Sequence, residues 1–380
     1  MRPTEAVIDL GAIGRNVERL VARAAPAQVC AVTKADGYGH GSVASARAAL
    51  DAGATWIAVA LVEEGIELRR SGVTAPILLL SEPRPGEMFE VVEVDLTPTV
   101  YSPVGLAALV AAAGSRRLTK PVDVHLNLDT GMNRVGLRPE GNRDTADGSH
   151  ALEVVRAIAD KPDIQLGGVW THLAVADEPG RPETDLQLGR FRSLLHVLRD
   201  ELDESVIIHV ANSAGLLARN DALFDMVRVG ISTYGIEPAV GLGHDLGLEP
   251  AMTLTTQLSM VKRVFAGEAI SYGLEHTFEA ETVVGTIPMG YADGLRRDSY
   301  RRGGQVIVGG QLRPIIGVVT MDQAMIDLGP NAVDAEGDPV VIIGDQGDES
   351  ISVHDIAARL DTIPYEIVCD TGRRVRRRYL

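Results

Sequence analysis

Eight short runs of β-favouring residues recur between positions 28 and 233, and stretches of helical character separate most of them. The runs cover residues 29–34, 56–60, 77–81, 95–100, 122–129, 166–172, 206–211 and 226–233. Several are apolar at consecutive positions, which is typical of parallel strands covered by helices. The repeated strand–helix order predicts an α/β fold, a (β/α)8 TIM-type barrel over residues 10–237. An open doubly wound sheet is the alternative.

Beyond Tyr234 the helical stretches give way to alternating strand patterns with hairpin signals. These patterns cover residues 253–265, 281–288, 305–308, 312–327 and 339–343, with a Gly309-Gly310 turn. They predict a mostly antiparallel β-rich domain over residues 238–380. The N-terminal strand within residues 1–9 is a candidate to pack with this domain. The polar segment 139–149 is predicted to form an exposed loop.

Composition argues against several classes of function. The 380 residues carry a net charge of −16, which disfavours nucleic acid or an anionic membrane as the main partner. Only two cysteines occur, Cys30 and Cys369, so we expect a reducing, cytoplasmic location without a disulfide framework. No apolar run is long enough to span a bilayer, and the N-terminus lacks the apolar region of a signal peptide. The basic tail 373–378 is predicted to be a solvated end.

Lys34 ends the first predicted strand, and the glycine-rich stretch 37–41 follows it. Barrel enzymes carry their active sites at the C-terminal ends of the strands, which is where this lysine falls. A lysine that loses hydration there has a more available amine, as a Schiff base to a carbonyl cofactor requires. The alternative is a lysine that snorkels to water beside a flexible loop.

Other predicted strand ends also carry polar side chains. They are Asn127, Asp129, His172, His209, Asn212, Ser213 and Arg228. Ser213, at a predicted helix N-terminus, falls after the seventh strand, and Gly230 lies on the eighth. Barrels hold phosphate groups at these positions. No metal site is predicted, because the histidines and cysteines show no metal-binding spacing.

The chain resembles the bacterial alanine racemases, which are fold-type III pyridoxal-phosphate enzymes. The resemblance covers essentially the whole sequence and rests on nine motifs in the order of that family. They lie at residues 31–41, 129–134, 171–172, 209–213, 227–230, 271–273, 290–294, 321–323 and 364–366.

The resemblance implies a catalytic role for four residues. Lys34 would carry pyridoxal 5'-phosphate as an aldimine and then act as an acid or base on one face of the substrate Cα. Tyr272 would act on the opposite face, because racemisation needs two proton-transfer groups. Arg228 would face the pyridine nitrogen and keep it unprotonated, since an arginine can only donate. His172 would line the same site, and His209 would hold Arg228.

The resemblance also implies two sets of binding residues. Those for the cofactor are Lys34, Tyr38, His172, Asn212, Ser213, Arg228, Gly230, Ile231 and Tyr365. Those for the substrate are Arg134, Met321, Asp322 and Tyr291. Many relatives carry a carbamylated lysine at the position of Asn127. Our hypothesis is that the Asn127 amide oxygen holds Arg134 instead, with a bound anion nearby.

The implied activity is the interconversion of L- and D-alanine, which would supply D-alanine for peptidoglycan. The implied assembly is a head-to-tail homodimer in which the β-domain of one subunit supplies Tyr272 to the barrel of the other. Two alternatives are a racemase of broader specificity, for serine or larger side chains, and a non-catalytic pyridoxal-phosphate-binding protein.

Overall fold

The computed structural model describes residues 2–138 and 148–380. The chain forms two compact units. The barrel unit comprises Ile13–Gly37 and Ser42–Leu248, and the sheet unit comprises Met1–Ala12, Tyr38–Gly41 and Glu249–Leu380. The loop predicted at 139–149 lies outside the described residues, apart from its last two positions.

The first strand, β1 (Glu5–Ile8), belongs to the sheet unit, and the next eight strands form the barrel. These are β2 (Gln28–Val32), β3 (Trp56–Val59), β4 (Ile77–Leu79), β5 (Thr99–Val100), β6 (Val122–Asn127), β7 (Ile164–Trp170), β8 (Ile207–His209) and β9 (Met226–Val229). All eight run parallel, in the order β4-β3-β2-β9-β8-β7-β6-β5. A parallel bridge between Leu78 and Thr97 joins the two end strands of this order. The sheet therefore closes, which confirms the predicted (β/α)8 barrel and excludes the open sheet.

Helices follow the barrel strands in the predicted alternation. From the N-terminus to the end of the barrel they are Leu10–Ala24, Ser42–Asp51, Val62–Arg70, Met88–Glu93, Pro103–Gly114, Ser149–Ala159, Glu183–Leu198 and Ser213–Ala218. Val62–Arg70 shows why they form where they do. It has glutamates in its first turn and arginines in its last, which complements the helix dipole. Among the described residues, no helix is both long and apolar enough to cross a membrane.

The remaining strands all belong to the sheet unit. They are β10 (Met252–Gln257), β11 (Met260–Val264), β12 (Ala269–Ile270), β13 (His276–Thr277), β14 (Thr282–Ile287), β15 (Gln305–Val308), β16 (Gln311–Ile316), β17 (Ala324–Gly329), β18 (Pro339–Gln346), β19 (Glu349–Ile351) and β20 (Arg376–Tyr379). Ten of the unit's strands form one sheet, and β12 and β13 pair separately. The pairing is antiparallel except between β1 and β20, so the predicted mostly antiparallel domain is confirmed. Helices Val353–Leu360 and Pro364–Cys369 complete the unit.

The hairpin between β15 and β16 shows how local sequence sets register. Val308 pairs with Gln311, so Gly309 and Gly310 form the two-residue turn that the sequence predicts. Their φ angles of 58° and 72° are left-handed, as such a turn requires. The runs predicted at 253–265 and 312–327 were wrong as single strands. Each is two strands, and in the second run Gly317, with φ of 63°, follows the last residue of β16.

Only part of the basic tail is the solvated end that the sequence predicts. Arg373, Arg374 and Arg376 are exposed, but residues 376–378 lie in β20, and Arg377 and Arg378 are partly buried. In β20, Arg377 donates hydrogen bonds to the carbonyl oxygens of Gly39 (3.0 Å), Gly372 (2.8 Å), Val375 (2.8 Å) and Thr371 (2.7 Å). A guanidinium offers five donors in a fixed fork, so one side chain can satisfy several backbone acceptors at once. Arg377 therefore anchors four backbone carbonyl groups of the sheet unit.

We predict that Arg377→Ala lowers the free energy of unfolding by about 2–3 kcal/mol, because partly buried carbonyl groups lose their donor. Arg373→Ala is the matched control, since Arg373 is exposed, and it should change stability by less than about 0.5 kcal/mol. Urea unfolding followed by circular dichroism measures both variants. Equal stability of the two variants would show that the Arg377 contacts contribute nothing.

Candidate active site

Lys34 lies two residues beyond the end of β2 and is half-buried. The three residues after it adopt left-handed backbone angles, with φ of 54° at Ala35, 53° at Asp36 and 61° at Gly37. Consecutive left-handed residues are costly for side chains that carry a Cβ. The chain therefore turns sharply at the strand end, and other groups must hold this turn in place.

Two carboxylates brace the lysine turn, and the sequence did not single out either of them. Glu64 accepts the N–H of Ala35 at 2.6 Å, and its second oxygen accepts those of Ala60 at 2.9 Å and Leu61 at 3.1 Å. Asp36 accepts the N–H of Ser42 at 3.0 Å. Glu64 thus ties the end of β2 to the end of β3. The Glu at the third position of a helix, a capping pattern, was the available signal.

Arg228 lies on β9 and is 2% exposed. Its Nη2 donates to the carbonyl oxygens of Thr171 at 2.9 Å and Val210 at 3.0 Å. Its guanidinium carbon lies 4.5 Å from the centre of the Trp170 ring, a cation–π arrangement. Burial lowers the pKa of Arg228 to about 10, so the group stays charged at neutral pH. The barrel unit thus holds one fully buried cation at its strand ends.

Two histidines surround this cation in their neutral form. Nη1 of Arg228 lies 2.8 Å from Nδ1 of His209, and Nη2 lies 3.2 Å from Nδ1 of His172. Since arginine only donates, both Nδ1 atoms must accept. Burial is the largest cause that holds the pKa of His172 well below its usual range, and the positive charges of Arg228, Arg134 and Lys34 lower it further. Three predicted site residues therefore act electrostatically on a fourth, His172.

His125 was missed by the sequence analysis. It lies on β6, two residues before Asn127, and its Nδ1 is 2.9 Å from Nε2 of His209. The pKa of His125 is lowered to about 3, mainly by burial and to a smaller extent by the charge of Arg228. A signal was available in the sequence, because residues two apart on a strand point to the same face and His125 lies two residues before Asn127.

Ser213 and Gly230 meet at the ends of strands β8 and β9. The Gly230 N–H donates to the buried Ser213 hydroxyl oxygen at 2.9 Å, which leaves the hydroxyl hydrogen available to a further acceptor. Ile231 begins a short 3-10 helix, in which the Thr233 N–H donates to the Gly230 carbonyl at 3.0 Å. The N–H groups of the first two residues of a 3-10 helix have no intrahelical acceptor. Asn212 uses its side-chain oxygen to cap helix Ser213–Ala218, at 2.8 Å from the Gly215 N–H.

Asn127 and Arg134 line the same small cavity, together with His172 and Thr171. Within residues 2–138 and 148–380, however, no hydrogen bond joins the Arg134 guanidinium to the Asn127 side chain. The hypothesis that the Asn127 amide oxygen holds Arg134 stays a prediction. The turn that carries Arg134 is held by Asp129, whose carboxylate accepts the N–H of Gly131 and of Asn133, each at 3.0 Å.

The remaining predicted site residues belong to the sheet unit. Tyr38 and Tyr365 bring their ring centres to 6.2 Å. Burial raises the pKa of Tyr38, so its hydroxyl remains a hydrogen-bond donor. This pairing unites the two tyrosines that the sequence assigns to cofactor binding.

Tyr272 lies on the short 3-10 turn Tyr272–Leu274 and is 70% exposed. Ser271, just before it, has φ of 64° and donates its hydroxyl to the Val318 carbonyl at 2.6 Å. A left-handed serine is strained, and this hydrogen bond helps to hold it. The sheet unit therefore presents Tyr272 outward on a constrained turn.

Tyr291, Met321 and Asp322 form a second group in the sheet unit. The Tyr291 N–H donates to the Thr320 carbonyl at 3.0 Å, and the Met321 carbonyl accepts the Ala292 N–H at 3.1 Å. Asp322 accepts from Arg374 at 2.6 Å. A Cβ at Gly290 would lie 2.3 Å from the Thr320 oxygen, so only glycine permits this approach.

A closed parallel barrel with a lysine and a buried arginine at its strand ends has the architecture of a barrel enzyme, and here it is accompanied by a β-rich unit. The sequence profile of the alanine racemase N-terminal domain matches residues 8–238, and that of the C-terminal domain matches residues 251–379. The chain belongs to the alanine racemase family.

Individual relatives agree with this assignment. An alanine racemase of Symbiobacterium thermophilum is 42% identical over 379 residues, covering 100% of this chain and 97% of the relative. An alanine racemase of Frankia casuarinae is 42% identical over 380 residues, covering 99% and 96%. The crystal structure of alanine racemase from D-cycloserine-producing Streptomyces lavendulae superposes with a TM-score of 0.91 at 39% identity, covering 100% and 97%.

The buried histidines predict a pH dependence of stability. Folding lowers the pKa of His125, His172 and His209, so the unfolded chain binds protons more tightly. Stability is therefore present above the unfolded histidine pKa, near 6.5, and falls as the pH drops below it. We expect the free energy of unfolding to fall by about 3 kcal/mol between about pH 7 and pH 5.5.

Urea titrations across this pH range measure the effect. His196→Gln is the control, because His196 is exposed and its removal should leave the pH dependence unchanged. A free energy of unfolding that stays constant down to pH 5.5 would contradict three buried neutral histidines.

Proposed function

We propose that this protein interconverts L- and D-alanine with pyridoxal phosphate bound at the strand ends of the barrel. The observation that carries the proposal is the buried Arg228, held by two neutral histidines within electrostatic reach of Lys34. We further propose that the functional domains are residues 10–237 and 238–380. The product D-alanine would supply peptidoglycan synthesis in the cytoplasm.

The barrel residues fit the chemistry of this cofactor. Its phosphate requires donors, and the Ser213 hydroxyl and the first N–H groups of the helix beginning at Ile231 supply them. Its pyridine nitrogen, when unprotonated, requires a donor, which Arg228 provides. Lys34 supplies the primary amine that a carbonyl group binds covalently. In the sheet unit, Tyr38 and Tyr365 offer two further hydroxyl groups.

Pyridoxal phosphate, when bound, stabilises negative charge at the Cα of an attached amino acid. The proton transfers belong to this chain. Lys34 takes or returns a proton on one face of Cα, and Tyr272 does so on the other. A tyrosine hydroxyl is ordinarily protonated at neutral pH, so Tyr272 requires nearby positive charge to act as a base.

Arg228 limits how far the negative charge spreads. Because Arg228 stays charged and can only donate, it would leave the pyridine nitrogen of bound pyridoxal phosphate unprotonated. The ring would then be a weaker electron acceptor, which would favour return of the proton to Cα over transfer of the amino group. His172 lines the same site, and His209 fixes the orientation of Arg228.

Arg134 and the backbone at Met321 would bind the substrate carboxylate, with Asp322 and Tyr291 beside Met321. A guanidinium suits a carboxylate because it can donate two parallel hydrogen bonds. We propose that a bound anion near Asn127 helps to hold Arg134, since no side chain among the described residues pairs with it by hydrogen bond or ion pair.

We also propose that the protein works as a homodimer in which the sheet unit of one subunit completes the barrel site of the other. Three predicted site residues of the sheet unit leave large side chains exposed. Tyr272 is 70%, Met321 52% and Tyr291 43% exposed. Aromatic residues and methionine are enriched at protein interfaces.

We predict that Lys34→Ala abolishes covalent attachment of pyridoxal phosphate and lowers alanine racemisation by more than about a thousandfold, because it removes both the cofactor's anchor and one proton-transfer group. Absorbance after dialysis measures attachment, and borohydride reduction followed by peptide mapping locates it. Lys161→Ala is the control, since Lys161 is an exposed lysine of the barrel unit.

Activity near that of the wild type in Lys34→Ala would refute the mechanism. An assay of the wild-type protein with a panel of L-amino acids separates the alternatives. Racemisation of serine or larger substrates at comparable rates would favour the broader racemase. Cofactor binding without any racemisation would favour a non-catalytic carrier.

Subunit mixing tests the shared site. Lys34→Ala and Tyr272→Ala should each be inactive alone. When they are co-expressed with different tags and purified through both, each dimer should contain one site with both defects and one intact site. About half of the wild-type activity should return, as a two-fold symmetric interface requires.

The control pairs Lys34→Ala with the double variant Lys34→Ala/Tyr272→Ala, which offers no lysine to any site and should stay inactive. If the first mixture also stays inactive while both chains are present in equal amounts, each site is built from a single chain and the proposed sharing is wrong.

A further inference from the structure

A buried chain of three side chains runs inward from Arg228. Arg228 contacts Nδ1 of His209 at 2.8 Å, and Nε2 of His209 contacts Nδ1 of His125 at 2.9 Å. Both histidines are 0% exposed. Aromatic rings enclose them, since Trp170 stacks on His209 at 5.6 Å and Trp56 lies 5.3 Å from His125.

The position of every proton in this chain follows from Arg228. A guanidinium only donates, so Nδ1 of His209 must be unprotonated. A neutral imidazole then carries its hydrogen on Nε2, which donates to His125. Nδ1 of His125 is therefore the acceptor, and His125 carries its own hydrogen on Nε2. Burial and the charge of Arg228 favour the neutral form of both rings.

This arrangement leaves one buried nitrogen of His125, its Nε2, without a hydrogen-bond partner among the described residues. An unpaired buried donor is unfavourable, so the ring would not be placed there without a compensating contact. Among the described residues, the hydrogen bond to His209 is the only one that the His125 side chain makes.

The neighbouring strand makes room for this ring. On β7, a Cβ at Gly168 would lie 2.6 Å from Cε1 and 2.7 Å from Nδ1 of His125. Real Cβ atoms essentially never approach that closely, so Gly168 is required for the ring to reach His209. The hydrogen bond between His125 and His209 thus depends on both His125 and Gly168.

We infer that His125 is a positioning residue that locks His209 in the Nε2–H tautomer and thereby keeps its Nδ1 lone pair facing Arg228. Without an acceptor at His125, His209 could place its hydrogen on Nδ1. Two donors would then face each other, and Arg228 would lose one of its buried partners. The effect on catalysis rests on the proposed role of Arg228, whereas the tautomer itself does not.

The test is nitrogen-15 NMR of the holoenzyme labelled at histidine, in which ring nitrogen shifts report the tautomer. In the wild type, both His209 and His125 should be neutral Nε2–H tautomers, with signals that do not move between about pH 6 and pH 8.5. Difference spectra of His125→Asn and His209→Asn assign the signals. The tautomers are measured on the wild-type protein, and variants are needed only to assign the signals. The measurement does not require substrate.

Two variants then test the lock. His125→Leu removes the acceptor, so the His209 nitrogens should shift toward a mixture of tautomers and kcat should fall about tenfold. His125→Asn keeps an acceptor oxygen close to the original Nδ1 position, so it should restore the His209 shifts and most of the rate. Gly168→Ala should reproduce the effect of His125→Leu by displacing the ring. His196→Leu, at an exposed histidine, is the matched control and should change nothing.

A wild-type His209 in the Nδ1–H form, or His209 shifts unaltered in both His125→Leu and Gly168→Ala, would overturn the inference. If the shifts behave as expected while the protein fails to racemise alanine, the tautomer lock stands and the proposed function is wrong. The two failures are therefore distinguishable.

Discussion

Burial of the Arg228 charge is the constraint on which the rest of the candidate site depends. An ionised group out of water is costly unless polar partners replace its hydration. Here the partners are the carbonyl oxygens of Thr171 and Val210 and the Nδ1 lone pairs of two histidines. Because an arginine cannot accept a hydrogen bond, it dictates the protonation of everything that touches it.

The barrel supplies these partners through its closure. Strands β7, β8 and β9 are neighbours in the order of the sheet, so carbonyl groups near their ends converge on one side chain. The same parallel order brings β6 beside β7, which places His125 against Gly168. Lys34 lies at the end of β2, next to β9, on a strained turn that Glu64 and Asp36 hold. Preorganisation of this kind lets a site act without rearranging its own dipoles.

Much of the site followed from side-chain chemistry at predicted strand ends. Lys34, His172, His209, Ser213 and Arg228 were all identifiable because they interrupt apolar runs where a barrel ends its strands. His125 and Glu64 were not. Their importance comes from contacts with residues 84 and 29 positions away, which no local pattern records. Arg377 of β20 was misjudged for the same reason, since its carbonyl partners come together only once the sheet has formed.

The sequence by itself determined the class of fold, the order of strands and helices, and the motifs that place the chain in its family. The spacing of apolar residues shows which face of an element is buried, and the positions of glycine show where tight turns are allowed. Both are local properties of the sequence. Only the tertiary structure decided that the barrel closes through Leu78 and Thr97, and that Arg228, His209 and His125 form one hydrogen-bonded chain. Hydrogen bonds between distant strands depend on register and side-chain direction, which arise when the whole sheet assembles.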